Sequence, residues 1–99
     1  MGVMTTNDMQ VFDRSCLIYK YKWDSRKELT LVTKTTLDRT NGYEVLYFIN
    51  TFFRVYNLGS MITFKRAEFL LYNHLPINIK NRSEITSWLL KYWNQDFYS

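Results

Sequence analysis

Residues 41–59 read NGYEVLYFINTFFRVYNLG, and their pattern decides the fold class of the region. At about 100° per residue, Val45, Leu46, Phe48, Ile49, Phe52, Phe53, Val55 and Tyr56 share one half of a helical wheel. Glu44, Asn50, Thr51, Arg54 and Asn57 take the other half, which only Tyr47 and Leu58 trespass upon. Asn41 stands three residues before Glu44, the spacing of a capping box with Asn as the cap. Gly59 suits a left-handed stop, because glycine enters that conformation without a Cβ clash. These features predict an amphipathic helix over about 42–58.

Toward the C-terminus, Thr63 can cap a helix over about 63–75, with Phe64, Ala67, Leu70, Leu71 and Leu75 on one stripe beside His74. Pro76 ends it, since proline lacks a donor and clashes with the preceding turn. Asn81 with Glu84 repeats the cap signature and opens a helix over about 82–96, whose apolar face is Ile85, Trp88, Leu89, Tyr92 and Trp93. Toward the N-terminus, Leu17, Tyr19, Tyr21 and Trp23 alternate with Ile18, Lys20 and Lys22, the period of a half-buried strand over about 15–23. After the turn-like Asp24-Ser25-Arg26-Lys27, Leu29, Leu31 and Leu37 share a parity and predict a second strand over about 28–37. The expected architecture is therefore α+β, an N-terminal antiparallel β-hairpin packed on three amphipathic helices. Residues 1–10 show no periodicity and are expected to form a flexible N-terminus, with 11–99 a single domain.

Composition narrows the function classes. Eighteen aromatic rings are hard to hide in the one core that 99 residues can build, so some should lie at a surface or an interface. Cys16 is the only cysteine, which excludes an internal disulfide and favours a reducing, cytoplasmic location, the host cytoplasm if the chain is viral. No apolar run reaches the roughly 18 residues of a membrane span. Met1-Gly2-Val3-Met4-Thr5-Thr6 fits the loose myristoylation pattern at Gly2, a short match that arises easily. The abundance of Asn, Lys, Ile, Tyr and Phe matches an AT-rich genome such as that of many phages, viruses and low-GC bacteria.

Catalytic chemistry finds no support. One His and one Cys cannot supply a zinc-type ligand set, and no metal or cofactor is expected. Cys16 and His74 read as a buried thiol and a core histidine rather than a nucleophile pair. The carboxylates are scattered, and Gly2, Gly42 and Gly59 lie too far apart for a phosphate loop. The chain is read as non-enzymatic.

Two binding classes remain. The leading expectation is a protein-binding module, such as a phage or viral accessory protein that inhibits a host protein by occupying its binding surface. Its interface candidates are Tyr47, Phe69, Tyr72, Trp93, Phe97 and Tyr98, aromatics at the margins of the apolar stripes or in the terminal segment. A homodimer through the hairpin edge is a second route. The alternative is a DNA- or RNA-binding regulator, suggested by a net charge of +4 and a pI near 9.3. Its candidates are Lys20, Lys22, Arg26 and Lys27 on the hairpin, with Lys65, Arg66, Lys80 and Arg82 near the helix starts. Either the last two helices would act as a helix-turn-helix with Arg82, Ser83, Thr86 and Ser87 in the groove, or Lys20 and Lys22 of the hairpin would track phosphates while its rings stack on unpaired bases, as single-strand binders do. Residues 1–42 and 43–99 each carry a net +2, so the sequence concentrates positive charge in neither part.

Overall fold

The computed structural model describes residues 12–23 and 35–94. Among them lie three α-helices, α1 (Gly42–Tyr56), α2 (Met61–Asn73) and α3 (Arg82–Tyr92), preceded by a short 3-10 turn at Arg14–Cys16. Asn41 caps α1, its side chain accepting from the amides of Tyr43 and Glu44, and Asn81 caps α3 in the same way through Ser83 and Glu84. The cap of α2 is Ser60 rather than Thr63, so that helix starts earlier than expected, with the Ser60 hydroxyl accepting from the Thr63 amide at 3.1 Å. The left-handed stop after α1 falls on Asn57 (φ 58°) and not on Gly59, an asparagine being one of the few side chains tolerated there.

The expected α+β class is wrong: the described residues contain no β-strand and form an all-α arrangement with two isolated bridges, Lys22 with Asn41 and Thr36 with Asn81. The alternation in 17–23 does mark extended chain, but its backbone donors go elsewhere. Ile18 and Tyr19 donate to the Glu68 carboxylate on α2, and Lys22 donates to the Thr40 carbonyl at 2.7 Å. Most of the second expected strand lies outside the described residues, but its end runs beside the α2–α3 connection. There Leu37 donates to Lys80 O at 2.9 Å and Arg82 donates to Thr35 O at 2.7 Å. The described ends of the two expected strands thus pair with other partners, and the hairpin edge invoked for a homodimer has no counterpart among the described residues.

The core joins Phe12 and Leu37 to the apolar faces of all three helices. Phe12 sits edge-on to Phe53 at 5.7 Å and against Phe64 at 4.5 Å between ring centroids, which closes the angle between α1 and α2. Two side chains from the expected polar half of α1, Glu44 and Asn50, are fully buried, while Val55 and Tyr56 from the apolar half are exposed. Asn50 explains its own burial: its side chain accepts from Phe12 N at 2.9 Å and donates to Phe12 O at 3.0 Å, a two-bond clasp on the incoming chain.

Gly42 is required by space. A Cβ there would stand 2.4 Å from the Trp23 indole, whose ring meets Tyr43 edge-on at 4.9 Å. Gly42→Ala should cost about 1–3 kcal/mol through forced repacking. Chemical denaturation of this variant, of Trp23→Ala and of the double variant checks it, the double costing less than the sum of the singles.

Candidate functional site

Two of the surface features that bring sequence candidates together share no lining residue, and a smaller hollow beside the second brings Arg66 and Trp93 together. The first is an apolar groove between α1 and α3. Tyr47, Phe48, Phe52, Val55 and Tyr56 form its α1 wall, and Arg82, Ser83 and Thr86 form its α3 wall. It encloses about 200 Å³, less than the roughly 300–1,000 Å³ of sites that take drug-sized ligands, so it suits inserted side chains rather than a cofactor. Val55 is 62% exposed and Tyr56 42%, so apolar surface at the C-terminal end of α1 stays in water at the edge of the groove. In the groove, the buried hydroxyl of Thr51 has no hydrogen-bond partner among the described residues.

Arg82 closes one end of this groove and is held on three sides. Its Nε donates to Thr36 O at 2.9 Å, its guanidinium lies over the Tyr47 ring at 5.7 Å, and its Nη2 stands 3.7 Å from the buried Glu44 carboxylate. Glu44 in turn accepts from the Asp38 amide at 2.9 Å. The groups that a helix-turn-helix would turn toward DNA are largely engaged within the fold. Thr86 bonds Arg82 O at 3.0 Å, the Ser83 hydroxyl bonds Asn81 at 2.6 Å, and only Ser87 is an exposed residue without such a bond shown.

The second feature is a row of three hollows that runs from residues 18–22 and α2 to the 37–40 turn and the α2–α3 connection. Ile18, Tyr19, Ile62, Lys65, Arg66 and Phe69 line the first, and Lys20, Tyr21, Lys22, Arg39, Thr40 and Tyr72 line the second. The two join where Tyr19 stacks on Tyr72 at 4.1 Å between centroids. The third shares Arg39 and Thr40 with the second and adds Leu37, Asp38, Ile77 and Lys80. Tyr72 also meets Tyr21 edge-on at 5.9 Å, and Tyr21 meets Trp23 at 6.2 Å, so the rings form one continuous belt. Beyond Trp23 the belt continues to Tyr43, with Arg14 over both rings and its Nη1 donating to the Tyr43 hydroxyl at 3.0 Å.

Glu68 builds this row. Fully buried on α2, it accepts from the amides of Ile18 and Tyr19 at 3.0 and 3.1 Å and from the Tyr21 hydroxyl at 2.8 Å. Burial, reinforced by this bond, pushes the Tyr21 hydroxyl well above the ordinary tyrosine range. Arg39 fixes the other side, its Nη1 donating to Leu71 O in the last turn of α2, where the helix dipole favours a cation, and to Leu75 O just beyond the helix.

The sequence candidates therefore disperse. Tyr47 lines the groove, Phe69 and Tyr72 line the hollows, and Trp93 packs half-buried against Phe52 while its carbonyl accepts from Arg66 at 2.7 Å. Lys20, Lys22, Lys65 and Lys80 are exposed, whereas Arg66 and Arg82 are half-buried and bonded to backbone carbonyls. Phe97, Tyr98, Arg26 and Lys27 lie outside the described residues. Cys16 is half-buried with its thiol on Asp13, and His74 is half-buried at the C-cap of α2 with its ring against Phe69, so neither is the fully buried core side chain expected. Sequence reasoning offered the rings of the 15–23 segment as stacking groups but missed Arg39 and Thr51 as lining groups, because burial and partner choice at these positions depend on chain distant in sequence. No helix among the described residues is long and apolar enough to cross a membrane.

Comparison with protein-family models, with curated proteins and with solved structures gives no match.

Proposed function

We propose that the chain is a non-enzymatic protein-binding module whose docking site is the α1–α3 groove. The observation that carries this reading is the exposed apolar wall of α1, where Val55 and Tyr56 remain in water beside a hollow sized for a side chain. Exposed contiguous apolar surface costs solvation free energy that association recovers, and aromatic and arginine groups in such a hollow are the usual anchors of binding. The partner it suits presents an apolar side chain that fits between Val55 and Thr86. Action by occupying a partner's surface, as an inhibitor does, requires nothing more than this geometry.

The test uses the full chain immobilised as bait, with Val55→Asp and Thr86→Trp as groove variants whose helicity is checked by circular dichroism. A partner retained by the wild type and identified by mass spectrometry should bind each variant about thirtyfold more weakly in direct titration, the loss of one hot spot of ~2 kcal/mol. Equal binding by both folded variants, or no retained protein at concentrations where the chain is folded, overturns the reading.

A further inference from the structure

We infer that the row of hollows along α2 is a binding site for single-stranded nucleic acid, a surface separate from the groove and independent of it. Folding changes the charge that this chain shows to solvent. Of the five carboxylates among the described residues, Asp13, Asp38, Glu44, Glu68 and Glu84, two are fully buried: Glu44 and Glu68. Both serve amide donors inside the fold, so the described surface is more basic than the sequence implies.

The cations also gather. Lys65 and Arg66 line the first hollow, Lys20, Lys22 and Arg39 the second, and Lys80 the third, a sequence separation of up to 60 residues closed by the fold. Among the described residues Asp38 is the one acidic residue lining the row, and its Oδ1 is occupied by the Thr40 amide and hydroxyl at 2.9 and 2.6 Å. A polyanion is therefore the ligand that the charge selects.

The rings decide which polyanion. Tyr19, Tyr21, Phe69 and Tyr72 stand among these cations, and Tyr72 is 47% exposed despite its stack on Tyr19. An acidic protein segment would use the charge but not the rings, whereas a nucleic-acid strand offers one phosphate and one flat base per unit. Duplex bases are already stacked on one another, so rings set in hollows serve unpaired bases. The interleaving is anchored by a built element: Glu68 holds the 18–21 backbone so that Tyr19 and Tyr21 face α2 with Lys20 and Lys22 beside them.

The experiment is fluorescence anisotropy of the full chain with labelled twelve-residue oligouridylate, oligothymidylate and a mixed-sequence duplex at low salt. Both single strands should bind and the duplex should bind at least tenfold more weakly. The log affinity should fall linearly with log salt, with a slope near 0.7 per phosphate contact. Lys20→Ala with Lys22→Ala should flatten that slope by about 1.4. Tyr72→Leu, which keeps an apolar group on Tyr19, should weaken binding by about tenfold while leaving the slope unchanged. Thr86→Trp in the groove should alter neither, which separates this site from the proposed protein-docking groove. Absent binding to both single strands, tighter binding to the duplex, an unchanged affinity in the folded Tyr72→Leu variant, or displacement by polyglutamate as effectively as by an oligonucleotide of equal charge would overturn the assignment. Preference for one of the two single strands identifies whether RNA or DNA is the ligand and supports it.

Discussion

Glu68→Ala should remove about 3–5 kcal/mol from the docking of residues 17–23 on α2, the largest effect expected of any single substitution in this chain. The carboxylate is fully buried and gathers two amides and a phenolic hydroxyl, and alanine would leave all three donors without it. Each buried donor left unmet costs about 1–3 kcal/mol, reduced here because Ile18 is itself exposed and water can reach its amide. Against a total stability of about 5–15 kcal/mol, the variant retains its helices only marginally or keeps them with the N-terminal segment detached. Glu68→Gln should fall between, because one acceptor oxygen remains while an amide group now faces donors. Denaturant unfolding followed by Trp fluorescence and by helical circular dichroism measures both outcomes, and a loss below 1 kcal/mol for the alanine variant would refute the assigned role. A pH dependence accompanies it. Tyr21 has a folded pKa above its ordinary value of 10.0, so its contribution to stability is complete below that pH and declines as the pH rises beyond it. The decline should disappear in Tyr21→Phe.

Glu44→Ala should cost about 2–4 kcal/mol and act on a different joint. Glu44 ties α1 to the start of α3 through Arg82 and to the 37–40 turn through the Asp38 amide. Removing it leaves the half-buried Arg82 guanidinium without its buried counter-charge, which is why breaking one side of such a pair costs more than the pair is worth. Arg82→Met should cost less than the sum implies when combined with Glu44→Gln, and a double-mutant cycle by thermal unfolding gives the coupling. Additive single and double variants would mean that the 3.7 Å approach carries no energy.

The helices were legible because their signals are local. Asn41 and Asn81 fix the starts at Gly42 and Arg82, and the buried stripe of Phe64, Ala67, Leu70 and Leu71 follows the 3.6-residue period. Thr63 misled because Ser60 stands one turn earlier with a hydroxyl equally able to cap. The hairpin misled for a deeper reason. Alternation reports that a segment is extended and half-buried, but it does not say what accepts its amides. The answer for Ile18 lies 50 residues away in Glu68, whose place one turn after Phe64 puts it on the buried stripe of α2 without saying which donors it serves. Glu44 and Asn50 share that history, each a polar side chain buried to serve backbone from another part of the chain. The groove was illegible on similar grounds, since Val55 and Tyr56 carry the period of α1 past the point where α3 covers it. The candidate cations were readable one by one, but their convergence on α2 was not, because Arg39 joins them only through the carbonyls of Leu71 and Leu75.

Side chains hold residues 12–21 in place, with Asn50 clasping Phe12 and Glu68 gathering Ile18, Tyr19 and Tyr21, and backbone pairing enters only at Lys22. Such a strap can open without any helix melting, as a cooperative unit whose free energy lies below that of global unfolding. Its opening would dismantle the ring belt while leaving the α1–α3 groove assembled, so the two surfaces have separate thermodynamic lifetimes. Whatever occupies the hollows clamps the strap shut, and the amides of Ile18 and Tyr19 become the reporters of that occupancy in hydrogen exchange.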